Sequence, residues 1–147
     1  MARRMKWAPA SMVCEVSVRV PSGTITVPAD GYRLFKGLFD WTDPREHFKV
    51  AYLTVRRAVL RVDTISVGSL TASLVHPREV FRPAIAIAAA GVILAHNHPS
   101  GDPEPSADDI ALTRRLASAG ALLGIEVLDH LVIGFDRFVS LKDRGVL

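Results

Sequence analysis

A chain of 147 residues fits one domain of ordinary size and leaves no room for a second. With 49% hydrophobic and 22% charged residues it is too apolar to stay disordered, because it can bury enough surface to offset the entropy of ordering. The net charge of +3 is spread over separate groups (Arg3, Arg4 and Lys6, then Arg56, Arg57 and Arg61, then Arg114 and Arg115), which reads as solvated surface rather than a nucleic-acid footprint.

Val13–Val20 alternates apolar and polar residues as a half-buried strand does, with Val16, Val18 and Val20 on one face. Pro21, Ser22 and Gly23 signal a turn, and Thr24–Val27 is expected to return as a second strand. Pro28, Ala29 and Asp30 open a helix whose apolar face is Tyr32, Phe35, Leu38 and Phe39. Asp43 and Pro44 break it. The β-branched and aromatic stretches His47–Thr54 and Ala58–Val67 read as strands, followed by a turn at Gly68 and Ser69 and a further strand over Leu70–Val75. Pro77 suits the first position of a helix, where its missing N–H costs nothing, and that helix is expected to run to about Ala90 and end at Gly91. Val92–Ala95 is a short buried strand. His96–Pro105 is a loop crowded with proline and glycine. Ser106 starts a helix ending near Gly120 or Gly124, Ile125–Ile133 is a strand, and Phe138–Leu141 is the last. Helices interleaved with strands imply a mixed α/β layer in which helices pack on a sheet.

One cysteine, Cys14, makes no internal disulfide and no cysteine-rich metal site, so any metal must be held by nitrogen and oxygen. The start of the chain, Met1–Lys6, is basic, but the following Trp7–Val13 is short and carries Pro9 and Ser11, which makes a poor export segment. The apolar run Pro83–Ala95 is shorter than the roughly 20 residues a bilayer span needs. A soluble cytoplasmic protein without membrane contact is the expectation.

The chemistry is concentrated between Ala95 and Asp109. His96 and His98 are two apart, and in extended backbone such residues project to the same side. Asp109 falls in the first turn of the next helix, which can swing back toward the strand end. Two imidazole nitrogens and one carboxylate oxygen make three ligands, the number a catalytic zinc takes while keeping a position open for water. Pro99, Pro103 and Pro105 stiffen the intervening loop. A plainer reading stands beside this one, because Ser106 with Asp109 three residues on is also a capping-box helix start.

The segment resembles the JAMM motif of the JAB/MPN metalloprotease superfamily, His-x-His, seven residues, Ser, two residues, Asp, with His96, His98, Ser106 and Asp109 in register. It is more closely similar to the RadC family of bacterial JAB-domain proteins. That similarity lies in Ser73–Phe81, in Ala95–Ser106 and in Leu128–Leu131, and it covers about Glu46 to the C-terminus. The resemblance implies a cytidine-deaminase-like layer with a central mixed β-sheet flanked by helices. Residues 41–147 would form the JAB domain and residues 1–40 a strand and helix extension of it. It further implies that His96, His98 and Asp109 bind Zn2+, that Ser106 hydrogen-bonds the oxyanion, and that Glu46 acts as general base on a water. The implied activity is a metallopeptidase or isopeptidase acting on an amide bond of a peptide or protein. Read from its own surroundings, Glu46 is a surface acid at the start of a strand; Glu15 and Glu79 are weaker candidates for the base.

His130 and Asp129 have two open readings, a layer behind a ligand histidine or a satisfied pair in a strand. His76, before Pro77, reads as an extended connector, His47 as a strand residue, and Asp102, Asp108 and Glu104 as solvated loop acids. The sequence departs from the family in places. Asn97 stands where eukaryotic deubiquitinase members carry Ser or Thr, as it does in RadC-like proteins. Thr54–Arg57 replaces an Asp followed by polar turn residues. Met1–Asp40 shows no helix-hairpin-helix pattern of the kind that often precedes the RadC domain. The alternative function, a DNA-associated RadC-like protein whose domain binds metal or partners without turnover, therefore has no motif behind it.

Overall fold

A computed structural model describes residues 23–68 and 75–147. The expected strand at Val13–Val20, most of the one at Leu70–Val75, and both Cys14 and Glu15 lie outside the described residues. The elements in chain order are α1 (Pro28–Lys36), β1 (Glu46–Leu53), β2 (Val59–Gly68), α2 (Pro77–Ala86), β3 (Gly91–Asn97), α3 (Ala107–Leu123), β4 (Glu126–Ile133) and β5 (Phe138–Ser140). They form a mixed α/β architecture with a five-stranded sheet in the order β2-β1-β3-β4-β5. β1 runs antiparallel to β2 and β3, β3 is parallel to β4, and β4 is antiparallel to β5.

Strand alternation divides the core between the two faces of this sheet. Phe48, Val50 and Tyr52 of β1 join Val92 and Leu94 of β3 against Val80, Phe81 and Ala84 of α2 and Leu112 and Leu116 of α3. Ala51 and Leu53, with Ile93 and Ala95, turn the other way onto Ile25, Phe35 and Phe39 in and around α1. β3 is covered on both faces, so all seven of its residues are buried, and it reads as a continuous apolar run up to His96. Full burial of a side chain such as Phe81 or Leu116 contributes about 1.5–3 kcal/mol. The Tyr52 hydroxyl donates to the Val80 carbonyl at 3.0 Å and ties the sheet to α2.

Several boundaries differ from the sequence reading. Thr24–Val27 is not a strand; it makes one isolated bridge, Thr24 to Ala58, and a single Ile25 N–H bond to the Arg57 carbonyl. α1 stops at Lys36, so Leu38 and Phe39 pack from the turn beyond it. α2 ends at Ala86 rather than about Ala90: Pro83 removes one helical N–H, and Ala88 at φ 54° turns the chain through the left-handed region. Gly91 belongs to β3, and so do His96 and Asn97, which the sequence reading left in the loop. Between β1 and β2, Thr54–Arg57 forms a turn in which the Thr54 carbonyl accepts from Arg57 N–H at 2.8 Å, with Arg57 at φ 63°. Among the described residues no helix is long and apolar enough to cross a membrane.

Candidate metal centre

The carboxyl end of β3 sits between β1 and β4, with His96 in register with Phe48 on one side and Val132 on the other. Cross-strand partners in such a sheet share a face, and the Phe48 ring lies nearly parallel to His96, 6.4 Å away between centroids. His96 is wholly buried. The chain continues beside β4 for one more residue, the His98 N–H donating to the Ile133 carbonyl at 2.9 Å. His98 therefore keeps the strand periodicity and projects to the side of His96, with 14% of its side chain exposed.

Asp109 arrives from α3. Its Oδ2 accepts the Ser106 N–H at 2.8 Å while the Ser106 Oγ accepts the Asp109 N–H at 3.1 Å. This capping box satisfies two orphan donors of the helix start and fixes the carboxylate as it does so. The two readings of the Ser106–Asp109 spacing are thus one structure, because the cap aims the carboxylate at the histidines. Asp109 Oδ1 is 3.3 Å from His96 Nε2, Oδ2 is 3.4 Å from His98 Nε2, and the two Nε2 atoms are 3.1 Å apart. One ligand atom from each of the three residues lies within 4.8 Å of the others.

The outward nitrogens decide what this cluster presents. His98 Nδ1 is 2.8 Å from the Asp102 carbonyl, which only accepts, so Nδ1 carries the hydrogen and Nε2 of the neutral ring is bare. The bare Nε2 of His98 thus meets a second imidazole nitrogen and a carboxylate at one point, where a cation could be held by all three. Burial pushes the His98 pKa down, but bonding to Asp109 and the Asp102 carbonyl, with the charges of Asp109 and Glu46, carries it above its ordinary value. Burial pushes Asp109 up, yet His96, His98 and the Ser106 N–H hold its carboxyl well below the usual range. Both shifts express the same preference for positive charge between these groups.

Glu46 begins β1, two residues before Phe48, and therefore shares the face of Phe48, His96 and the cluster. It is half-buried. Ser106 is exposed at the rim.

The sequence reading left His130 open, and a register slip in the sheet resolves it. Val92 pairs with Val127 but Ile93 pairs with Asp129, so Leu128 is an extra residue in β4. Such a bulge inverts the alternation beyond it. Leu128 and Leu131 thereby share the α1 face, and His130 turns to the face of His96, with Nε2 at 2.8 Å from His96 Nδ1. Its Nδ1 is 2.5 Å from Thr113 Oγ1, and Thr113 in turn donates to the Asp109 carbonyl at 2.6 Å. Thr113 was missed from the sequence; its sole signal there is the i+4 spacing from Asp109. Asp129 faces away and accepts from Ser140 Oγ at 2.7 Å and from the His130 and Lys142 N–H groups. The remaining candidates stay outside the cluster. His47 bonds Asp43 at 2.9 Å, His76 is the extended residue before α2, and Glu79 pairs with Arg82. Asp102 and Asp108 are exposed, and Glu104 pairs with Arg144 at 3.0 Å, clipping the loop to the C-terminal turn.

The loop is also held from below. Gly134, after β4, leaves no room for a Cβ, which would stand 2.2 Å from the Gly101 carbonyl oxygen. Gly101 itself has φ 86° and lies against the Phe135 ring.

The family model for the RadC-like JAB domain matches residues 25–146. The chain is 60% identical over 103 residues to a UPF0758 protein of Moorella thermoacetica and 58% identical over 103 residues to one of Desulfitobacterium hafniense. Each of these alignments covers 70% of this chain and 45% of the relative. A UPF0758 protein of Methanosarcina mazei is 47% identical over 131 residues, covering 89% of this chain and 57% of its own. The chain thus spans about half the length of the curated relatives it matches.

Proposed function

The chain belongs to the RadC-like JAB domain family, and on that premise we propose that it is a zinc-dependent hydrolase of amide bonds, a peptidase or isopeptidase. The observation that carries this reading is the spacing of the donor atoms. A tetrahedral zinc with ligands at about 2.0–2.1 Å has ligand edges of about 3.3 Å. His96 Nε2 and His98 Nε2 are 3.1 Å apart, close to such an edge, while Asp109 reaches the first with Oδ1 at 3.3 Å and the second with Oδ2 at 3.4 Å, and one ligand atom from each of the three residues lies within 4.8 Å of the others. Two imidazoles and a carboxylate suit zinc better than the all-oxygen sets of magnesium or calcium, and three ligands leave a position for water.

A zinc ion held there supplies Lewis acidity, lowering the pKa of a water from about 15.7 to about 7 and polarising a carbonyl. The residues around it supply the rest. Glu46, on the same face, takes the proton from the attacking water as the new C–O bond forms. It hands that proton to the amine as the C–N bond breaks. Ser106 Oγ already accepts from the Asp109 N–H, so its own hydrogen is free to donate to the developing negative oxygen. His96 and Asp109 are buried and held by their neighbours, and little reorganisation is needed on binding.

The test is metal content by elemental analysis after purification without added metal, for the natural chain and His98→Ala, followed by assay against peptide and isopeptide substrates. About one zinc per chain, lost in His98→Ala, with cleavage abolished in Glu46→Gln, is the expected result. No zinc in either protein after zinc is added back would overturn the proposal. Cleavage that survives Glu46→Gln would remove Glu46 as the base.

A further inference from the structure

We propose that Thr113 and His130 are positioning residues that set the tautomer of His96 and so keep its Nε2 bare toward the metal, an inference that rests on the metal reading above. All three side chains involved, Thr113, His130 and His96, are fully buried, so water does not compete for their hydrogen bonds. The order of the chain follows from its fixed end. The Asp109 main-chain carbonyl can only accept, and Thr113 Oγ1 is 2.6 Å from it, so the single hydroxyl hydrogen of Thr113 goes there. At 2.5 Å from His130 Nδ1, Thr113 must then accept, and His130 carries its hydrogen on Nδ1. The Nε2 of a neutral His130 is left with a lone pair. Its partner at 2.8 Å, His96 Nδ1, must donate, which leaves the lone pair of His96 on Nε2, the atom facing His98 and Asp109.

The reverse order fails at one point. If His130 donated from Nε2, its Nδ1 would need a hydrogen from Thr113, and two oxygens would face each other at 2.6 Å with no hydrogen between them. The wiring also links two ligands through separate parts of Asp109: its carboxylate faces the metal while its carbonyl anchors the tautomer of His96. The bulge at Leu128 is what places His130 in line. His98 reaches the same state by a shorter route, through the Asp102 carbonyl.

The experiment has two readouts on the full chain. Ring nitrogen-15 shifts, recorded on the metal-free protein, report which nitrogen of His130 is protonated. Competition with a chromophoric zinc chelator reports zinc affinity for the natural chain, Thr113→Val and Thr113→Ser. The expected result is the Nδ1–H tautomer for His130, the less common form of free histidine. Zinc affinity should fall roughly 10- to 100-fold in Thr113→Val and recover in Thr113→Ser. Denaturant unfolding of the metal-free variants separates this from loss of fold. An Nε2–H His130 in the natural chain, or a folded Thr113→Val with natural zinc affinity, overturns the inference while leaving the zinc site standing. A natural chain with the expected tautomer that takes up no zinc overturns the hydrolase reading and the purpose assigned to the wiring.

Discussion

Replacing Gly134 by alanine tests whether the loop between β3 and α3 is held by contact with the turn after β4. The added Cβ would stand 2.2 Å from the Gly101 carbonyl oxygen and 3.0 Å from its carbonyl carbon. A normal carbon–oxygen contact needs about 1 Å more, and the obstacle is backbone, which cannot rotate away as a side chain can. Gly101 is itself packed against the Phe135 ring, 2.4 Å from where its own Cβ would be. Displacing Gly101 is expected to shift the adjoining Asp102, whose carbonyl accepts the His98 Nδ1–H at 2.8 Å. Overpacking of this kind costs about 1–3 kcal/mol. For a domain of this size that is a fall in Tm of roughly 3–10 °C. Loosening the Asp102 bond should in addition weaken zinc binding roughly tenfold or more. Thermal unfolding of the metal-free protein reads the first effect, and chelator competition reads the second. A variant with natural Tm and natural zinc affinity would refute the argument that this contact supports the site. A lower Tm with unchanged affinity would show that the loop absorbs the strain before it reaches His98.

Three further outcomes follow from particular contacts. Ser106→Gly keeps most of the helix cap, costing a few tenths of a kcal/mol in stability, but removes the hydroxyl donor. Hydrolysis should fall by about 100- to 1000-fold and return in Ser106→Thr; natural turnover in Ser106→Gly would exclude the oxyanion role. Tyr52→Phe leaves the Val80 carbonyl without its 3.0 Å partner and should lower the unfolding free energy by about 1–3 kcal/mol in urea, whereas an unchanged midpoint would mean that another donor replaces it. Asp30 accepts from the Thr26 and Val27 N–H groups and the Thr26 hydroxyl at the start of α1, which holds its carboxyl down at about 2. Because the folded value lies below the unfolded value of about 3.9, its stabilising effect is present above that pH and is lost as pH falls through about 2. Asp30→Asn should therefore lower stability at neutral pH and flatten its pH dependence between about 4 and 2; an unchanged slope in acid unfolding would argue against it.

How much of this was legible beforehand depends on the range of each interaction. His96 and His98 are two residues apart on a strand, and Ser106 and Asp109 are three apart at a helix start. Those spacings are geometry in themselves, and the sequence by itself determined that the two histidines share a side and that the acid caps a helix. From α1 onward it also determined the order of helices and strands among the described residues, since periodicity is local, whereas Thr24–Val27 did not become the expected strand. Helix ends were less legible: α2 stops early because Ala88 takes a left-handed conformation that no propensity announces.

Tertiary structure alone decided what stands behind His96 and Asp109. One extra residue in β4 chooses which face His130 meets, and a one-residue slip has no counterpart in composition or period. Thr113 is 17 residues from His130 in sequence, and only the packing of α3 on β4 brings their polar atoms to 2.5 Å. Glu46 came to the cluster's face through the antiparallel register of β1 with β3, which is set by two buried apolar faces rather than by any residue near Glu46. Contacts between distant residues depend on the whole fold because each is the sum of many packing choices, whereas a spacing of two or three residues depends only on the backbone that carries it.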